Sequence, residues 1–88
     1  NDHISRQDMM VIVARTMKIA GMKPQNAPAD LSGFSDANEI APYAKDAVAM
    51  LVGEGIIKGS NGRINPKGTA TRAETAVILY RVLQLYRQ

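Results

Sequence analysis

The chain carries one pattern twice, and that repeat limits its possible folds more than any other feature. Residues 4–18 read ISRQDMMVIVARTMK and residues 70–84 read ATRAETAVILYRVLQ. Aligned so that Arg6 falls on Arg72, Asp8 falls on Glu74, Val11 on Val77, Ile12 on Ile78 and Arg15 on Arg81. Ser5 meets Thr71, and Met17 meets Leu83. Each copy is a hydroxyl-Arg-x-acid motif followed by an apolar run. A supersecondary unit used more than once buries its apolar face against its neighbours.

Both copies begin with a capping box. Ser5 and Thr71 are placed to accept a hydrogen bond from the third helical amide, and Asp8 and Glu74 to reach back to the cap, Asp being the weaker match. A first helix is therefore predicted over about 6–20, stopped by Gly21 with Pro24 soon after. A last helix is predicted over about 72–86. There Val77, Ile78, Leu79, Tyr80, Val82, Leu83 and Leu85 leave little polar surface, which places it at the centre of a bundle.

Between them, Ile40, Tyr43, Ala44, Ala47, Val48 and Leu51 follow helical spacing. They predict an amphipathic helix with Asn38 as N-cap, Pro42 in its first turn, and Gly53 and Gly55 at its end. The stretch 22–35, MKPQNAPADLSGFS, reads as a connector. The stretch 55–70, GIIKGSNGRINPKGTA, reads as ordered loop with at most a scrap of strand pairing. Asn61-Gly62 gives it a tight turn, and Ile56, Ile57 and Ile64 pin it to the core. The fold class is all-α with long ordered loops.

Eighty-eight residues fall below the usual domain size of about 100–150, which suits a docking unit better than an enzyme with its own substrate pocket. There is no cysteine, which excludes disulfides, thiolate metal sites and a thiol nucleophile. The lone histidine, His3, excludes His-based metal sites and Ser-His-Asp triads within the chain. No catalytic residue, metal site or cofactor is expected. The longest apolar run, Met9 to Ala14, falls far short of the roughly 20 residues of a membrane span, and no targeting peptide is legible. Charge is uneven: residues 1–54 hold five basic and seven acidic residues, whereas 55–88 hold six basic residues against Glu74 alone. A basic second half fits an anionic partner.

In order along the chain stand Phe34-Ser35-Asp36, Tyr43-Ala44, Ala47, Leu51, Gly55-Ile56-Ile57-x-Gly59, Asn61-Gly62, Pro66 and Thr71-Arg72-Ala73-Glu74. Together they resemble the S-layer homology (SLH) module, with its F-x-D, W-A, G-I-I-x-G, D-G and T-R-A-E signature. The resemblance covers about 34–83. Tyr43 stands where the family usually has Trp, Asn61 where it often has Asp, and Ile64 where it often has Phe. The chain then divides into the C-terminal half of a preceding SLH module (1–21), a connector (22–33) and a nearly complete module (34–88). The resemblance implies helix-loop-helix repeats forming part of a pseudo-threefold helical bundle, with ligand grooves between neighbouring modules. It also implies a non-catalytic anchor, which attaches an exported protein at the bacterial surface by binding anionic secondary cell-wall polysaccharide, often pyruvylated. Adjacent SLH modules or further copies of the chain are implied as partners, because about one and a half modules leave the bundle incomplete. Neither nucleic acid nor membrane insertion is implied.

The residues offer a physical basis for such binding. Arg6 and Arg72 occupy the first helical position, where the helix dipole disfavours a cation. Free amides and an Arg fork there suit a carboxylate or phosphate, and a pyruvyl ketal presents such a carboxylate; the competing reading is an ion pair to an acid of a neighbouring helix or module. Lys58, Gly59 and Ser60 form either a loop that meets sugar hydroxyls and the anion or a helix-stop turn. Tyr43 either stacks on a sugar or packs in the core. Asp36 either accepts sugar hydroxyls or bonds nearby amides. Arg15 and Arg81, near the helix ends, read as structural.

Three other functions compete. A DNA-binding helix-turn-helix needs a 3–4-residue turn, which the long loops here do not provide. A dockerin-type calcium loop needs spaced Asp/Asn ligands, whereas Asp36-Ala37-Asn38-Glu39 runs into Ile40-Ala41-Pro42. A structural oligomerisation unit without glycan binding uses the same bundle and is the principal alternative.

Overall fold

The computed structural model describes residues 3–86. Three α-helices order the described residues: α1 (Arg6–Ile19), α2 (Lys45–Gly53) and α3 (Arg72–Tyr86). Single 3-10 turns lie between α1 and α2 at Leu31–Gly33, Ala37–Glu39 and Pro42–Ala44. Among the described residues there is no sheet, only isolated bridges at Ser5 with Thr69 and Ser60 with Arg63. The class is all-α, with long ordered loops.

Both capping boxes form, unequally. The Asp8 amide donates to Ser5 Oγ at 3.1 Å, and the Glu74 amide to Thr71 Oγ1 at 3.0 Å. Glu74 reaches back to the Thr71 amide at 3.4 Å. Asp8, one methylene shorter, instead accepts from the Tyr43 hydroxyl at 2.5 Å. Helix α1 ends at a cap on Ala20, followed by Gly21 in the left-handed region at φ +77°.

The middle helix starts later than its apolar spacing predicts. Pro42 pushes the preceding residue out of the helical region, and Ala41 is extended at φ −63°, ψ 147°. The chain therefore breaks into two 3-10 turns, and Asn38 lies inside the first of them rather than capping a helix. Tyr43 consequently leaves the apolar stripe and is 63% exposed. The buried Gln7 anchors this segment, its Oε1 accepting the Ala41 amide at 2.8 Å.

The core is built on α1 and α2. Met9, Met10, Val13 and Met17 pack with Ala44, Val48 and Leu51, and with Ile56, Ile57 and Ile64 of the following loop. Helix α3 contributes Ile78 and Val82. Its position corrects the sequence expectation of a central helix: Leu79 and Leu83 are 47% and 58% exposed, and on α1 Ile12 is 54% exposed. The apolar sides of the two repeat helices flank an open groove of about 490 Å³.

The connector is fastened by Glu54. This buried carboxylate accepts the amides of Gln25 and Asn26, the Asn26 side chain and the Tyr86 hydroxyl. Burial alone would push the Glu54 carboxyl up, but these donors outweigh it and hold it below its ordinary value. Gly53 makes the docking sterically feasible, since a Cβ there would lie 2.4 Å from the Ala27 carbonyl oxygen.

Candidate functional site

The two copies of the repeat meet at their helix starts. Short antiparallel pairing joins them: the Ala70 amide donates to Ile4 O at 2.9 Å and the Arg6 amide to Gly68 O at 2.7 Å. The Gln7 amide donates to Pro66 O at 3.0 Å. The first amides of α1 are thus taken by loop carbonyls and by Ser5. This corrects the expectation that they remain free for an anion.

The Arg6 side chain crosses from the first motif to the second. Its Nε donates to Ile64 O at 3.0 Å, and its Nη1 is paired with the Glu74 carboxylate. The side chains of Arg6 and Glu74 are only 17% and 23% exposed. Burial lowers the Arg6 pKa from its ordinary value, opposed by the charge of Asp36, and guanidinium remains a cation throughout. The ion pair expected as the competing reading for this arginine is present.

Beside this pair opens a cleft of about 770 Å³. Its walls are α3, through Val77, Ile78 and Arg81, and the loop carrying Lys58, Gly59, Ser60, Arg63 and Asn65. The loop is shaped by its turn. Asn61 and Gly62 both adopt positive φ, at 53° and 72°, as a type I′ hairpin requires. The Ser60 and Arg63 backbones exchange hydrogen bonds at 2.9 and 3.0 Å. Gly59 is favoured on two grounds: φ is +74°, and a Cβ would meet Arg63 O and Phe34 Cε1 at 2.8 Å. Arg81 fastens the other end of the loop, its Nη1 donating to Ile56 O at 3.0 Å.

Among the described residues four cations, Arg6, Lys58, Arg63 and Arg81, therefore line one cleft in which Glu74 is the one acid, with Asp36 beneath Arg63. In such a concave, partly desolvated place like charges reinforce one another and favour an anion.

Four of the seven predicted site residues, Arg6, Lys58, Gly59 and Ser60, line this cleft. Arg72, Asp36 and Tyr43 do not. Arg72 is exposed at the start of α3. Tyr43 is exposed with its hydroxyl on Asp8, which with nearby burial raises its pKa. Asp36 is 2% exposed. Its Oδ1 accepts the Ile64 amide at 2.9 Å and its Oδ2 the Asn65 amide at 2.7 Å, with Arg63 Nε at 3.8 Å. Burial would push the Asp36 carboxyl up, yet the two amides and Arg63 hold it below its ordinary value. Its role is to hold the cleft loop from beneath. Sequence reasoning missed Arg63, Asn65, Glu74 and Arg81 as cleft residues. The excess of basic residues after residue 54 is the signal for Arg63 and Arg81; Glu74 is legible as a helix cap but not as a cleft residue, and Asn65 carries no signal.

Among the described residues no helix is long and apolar enough to cross a membrane, and no group of three potential ligands is close enough to hold a metal ion.

The helix-loop-helix order and interlocking motifs define a helical repeat module. The family model described as S-layer homology domain matches residues 33–76. The chain belongs to the SLH domain family. It is 38% identical over 86 residues to an exoglucanase, XynX, of Acetivibrio thermocellus, covering 96% of this chain and 8% of that protein. It is likewise 38% identical over 86 residues to an amylopullulanase of Thermoanaerobacterium thermosulfurigenes, covering 96% of this chain and 4% of the other. A surface-layer 125 kDa protein of Lysinibacillus sphaericus is 45% identical over 58 residues, which is 65% of this chain and 5% of that protein. No solved structure matches significantly. The chain thus spans less than a tenth of each relative, and the catalytic parts of the two enzymes lie outside the shared region. SLH domains in general bind cell-wall polysaccharide, and the family match together with the surface-layer relative makes this chain a cell-surface anchoring module.

Proposed function

We propose that the cleft between the two repeat copies is the anchoring site, and that its ligand is an anionic cell-wall polysaccharide bearing carboxylates of the pyruvate-ketal type. The observation that carries this reading is the convergence of Arg6, Lys58, Arg63 and Arg81 on one concavity that holds a single acid. A guanidinium fork matches a carboxylate geometrically; Arg6 and Arg63 already meet Glu74 and Asp36, and neutral sugar alone gives Lys58 and Arg81 nothing to neutralise. Gly59 and Ser60 bring backbone and hydroxyl groups for sugar hydroxyls. Arg72, the corresponding arginine of the second motif, would serve the equivalent cleft formed with a following module. Tyr43 and Asp36 act on this reading through packing and loop support. The chain divides accordingly at its connector, 22–33, between the end of one module and the body of the next.

The test is retention on purified cell-wall sacculi before and after chemical removal of ketal pyruvate. Retention falls on removal if the reading holds; equal retention on both materials contradicts it.

The open groove between α1 and α3 favours a second role beside the first, that of a bundle component. Its apolar lining, including Ile12, Leu79 and Leu83, is the kind of surface that a neighbouring module or another copy covers. Sedimentation tests this: concentration-dependent association supports it, and a monomer at high micromolar concentration contradicts a role for other copies.

A further inference from the structure

The cleft already holds one carboxylate of its own. Glu74 is the single acid among the described cleft residues and the single acid of residues 55–88, yet it sits on Arg6, whose side chain is only 17% exposed. Arg6 cannot turn away from it freely, because its Nε is held by Ile64 O. Glu74 is less bound to its place. Its other hydrogen bond, from the Thr71 amide at 3.4 Å, is long and is an ordinary helix cap. If Arg6 receives another carboxylate, Glu74 can keep that cap while releasing the guanidinium.

We infer that Glu74 is a resident competitor that determines which ligands reach Arg6, an inference that rests on the anionic-glycan reading of the cleft. A sugar hydroxyl is a weaker acceptor than a carboxylate by roughly a factor of two in hydrogen-bond strength, so it does not displace Glu74. A ligand carboxylate does, provided that it also engages another of the cleft cations. Arg6 is thereby reserved for acidic sugars, and each contact is a carboxylate exchange of modest net gain. An anchor built on many such contacts along a polymer holds by number while each one stays reversible.

The test uses Glu74→Gln, because Gln also satisfies the capping box. Circular dichroism and a thermal melt check the fold of each variant. The probes are the methyl glycoside of a hexose carrying a pyruvate ketal and the methyl ester of the same compound. Glu74→Gln is expected to bind the acid about fivefold more tightly, as removal of one partly exposed ion pair implies. In Arg6→Ala the same Glu74→Gln change gives no gain, since the two residues act as a unit. Asp46→Asn, the same change of charge at an exposed position of α2, gives none either. Glu74→Gln binding no tighter than wild type, while Arg6→Ala loses the acid, overturns the competitor role and leaves the anionic site standing. An equal gain from Asp46→Asn overturns it as well, by assigning the effect to overall charge. Indifference of the wild type to acid or ester removes the underlying reading, and this inference with it.

Discussion

Arg6 of the first hydroxyl-Arg-x-acid motif is ion-paired with Glu74 of the second. The motif is therefore an interlock between successive repeats: the cation of one copy meets the acid of the next. The same contact closes one end of the cleft, so stability and binding share a residue.

Removing the arginine should cost both. Arg6→Ala strands the largely enclosed Glu74 carboxylate and removes the bond to Ile64 O. Loss of about 2 kcal/mol is expected, read as a shift in the urea midpoint at unchanged slope. An unchanged midpoint would show the pair to be no more than a surface contact.

Asp36 governs the loop from below. Asp36→Asn leaves one of the Ile64 and Asn65 amides without its acceptor in a buried place, at a cost of about 2 kcal/mol. Acid has the same effect on the wild type. The carboxyls of Asp36 and Glu54 are held below their ordinary values, against unfolded values of about 3.9 and 4.3. Their contribution to stability is complete above about pH 5 and is lost as the pH falls through the lower folded values. Denaturation midpoints measured from pH 7 to pH 2 should drop mainly below pH 4, and Asp36→Asn should flatten that drop.

Gly59→Ala combines a left-handed backbone with contacts at 2.8 Å to Arg63 O and the Phe34 ring. About 1–3 kcal/mol of destabilisation is expected, with loss of the cleft loop's fixed shape. Gly62→Ala faces open space at similar φ, so it serves as the comparison. Equal melting temperatures for the two variants would contradict the account of the Phe34 contact.

The connector should loosen when its clasp is weakened. Glu54→Gln replaces one of the two carboxylate oxygens that serve Gln25, Asn26 and Tyr86. Amide exchange at Gln25 and Asn26 should rise about fivefold or more, while the buried amides of α1 keep their protection. Unaltered exchange at both positions would show that Glu54 does not hold the connector.

Much of this architecture was legible in the sequence because it is written in local chemistry. The Ser5 and Thr71 caps, the Gly21 stop and the Asn61-Gly62 turn each rest on neighbours a few residues apart. The start of α2 was misread because apolar spacing ran through Pro42, whose effect on Ala41 outranked it. The position of α3 was beyond local reading as well: an apolar circumference says that a helix needs partners, not that they lie within 88 residues. At the site, Lys58, Gly59 and Ser60 were found through the motif that contains them. Arg63, Asn65, Glu74 and Arg81 reach the cleft only through long-range folding, and no spacing between them foretold it. Arg72 and Arg6 are equivalent in sequence, but among the described residues it is Arg6 that has the other repeat copy beside it.

Titration of isotope-labelled chain with an acidic oligosaccharide released from the cell wall, followed by amide chemical shifts, tests the central claim most directly. Shifts confined to Lys58–Asn65, the start of α1 and the Arg81 face of α3, and abolished when the carboxylates are esterified, are the predicted result. Shifts centred on the apolar groove between α1 and α3, or shifts at the cleft that persist with the esterified sugar, would contradict it.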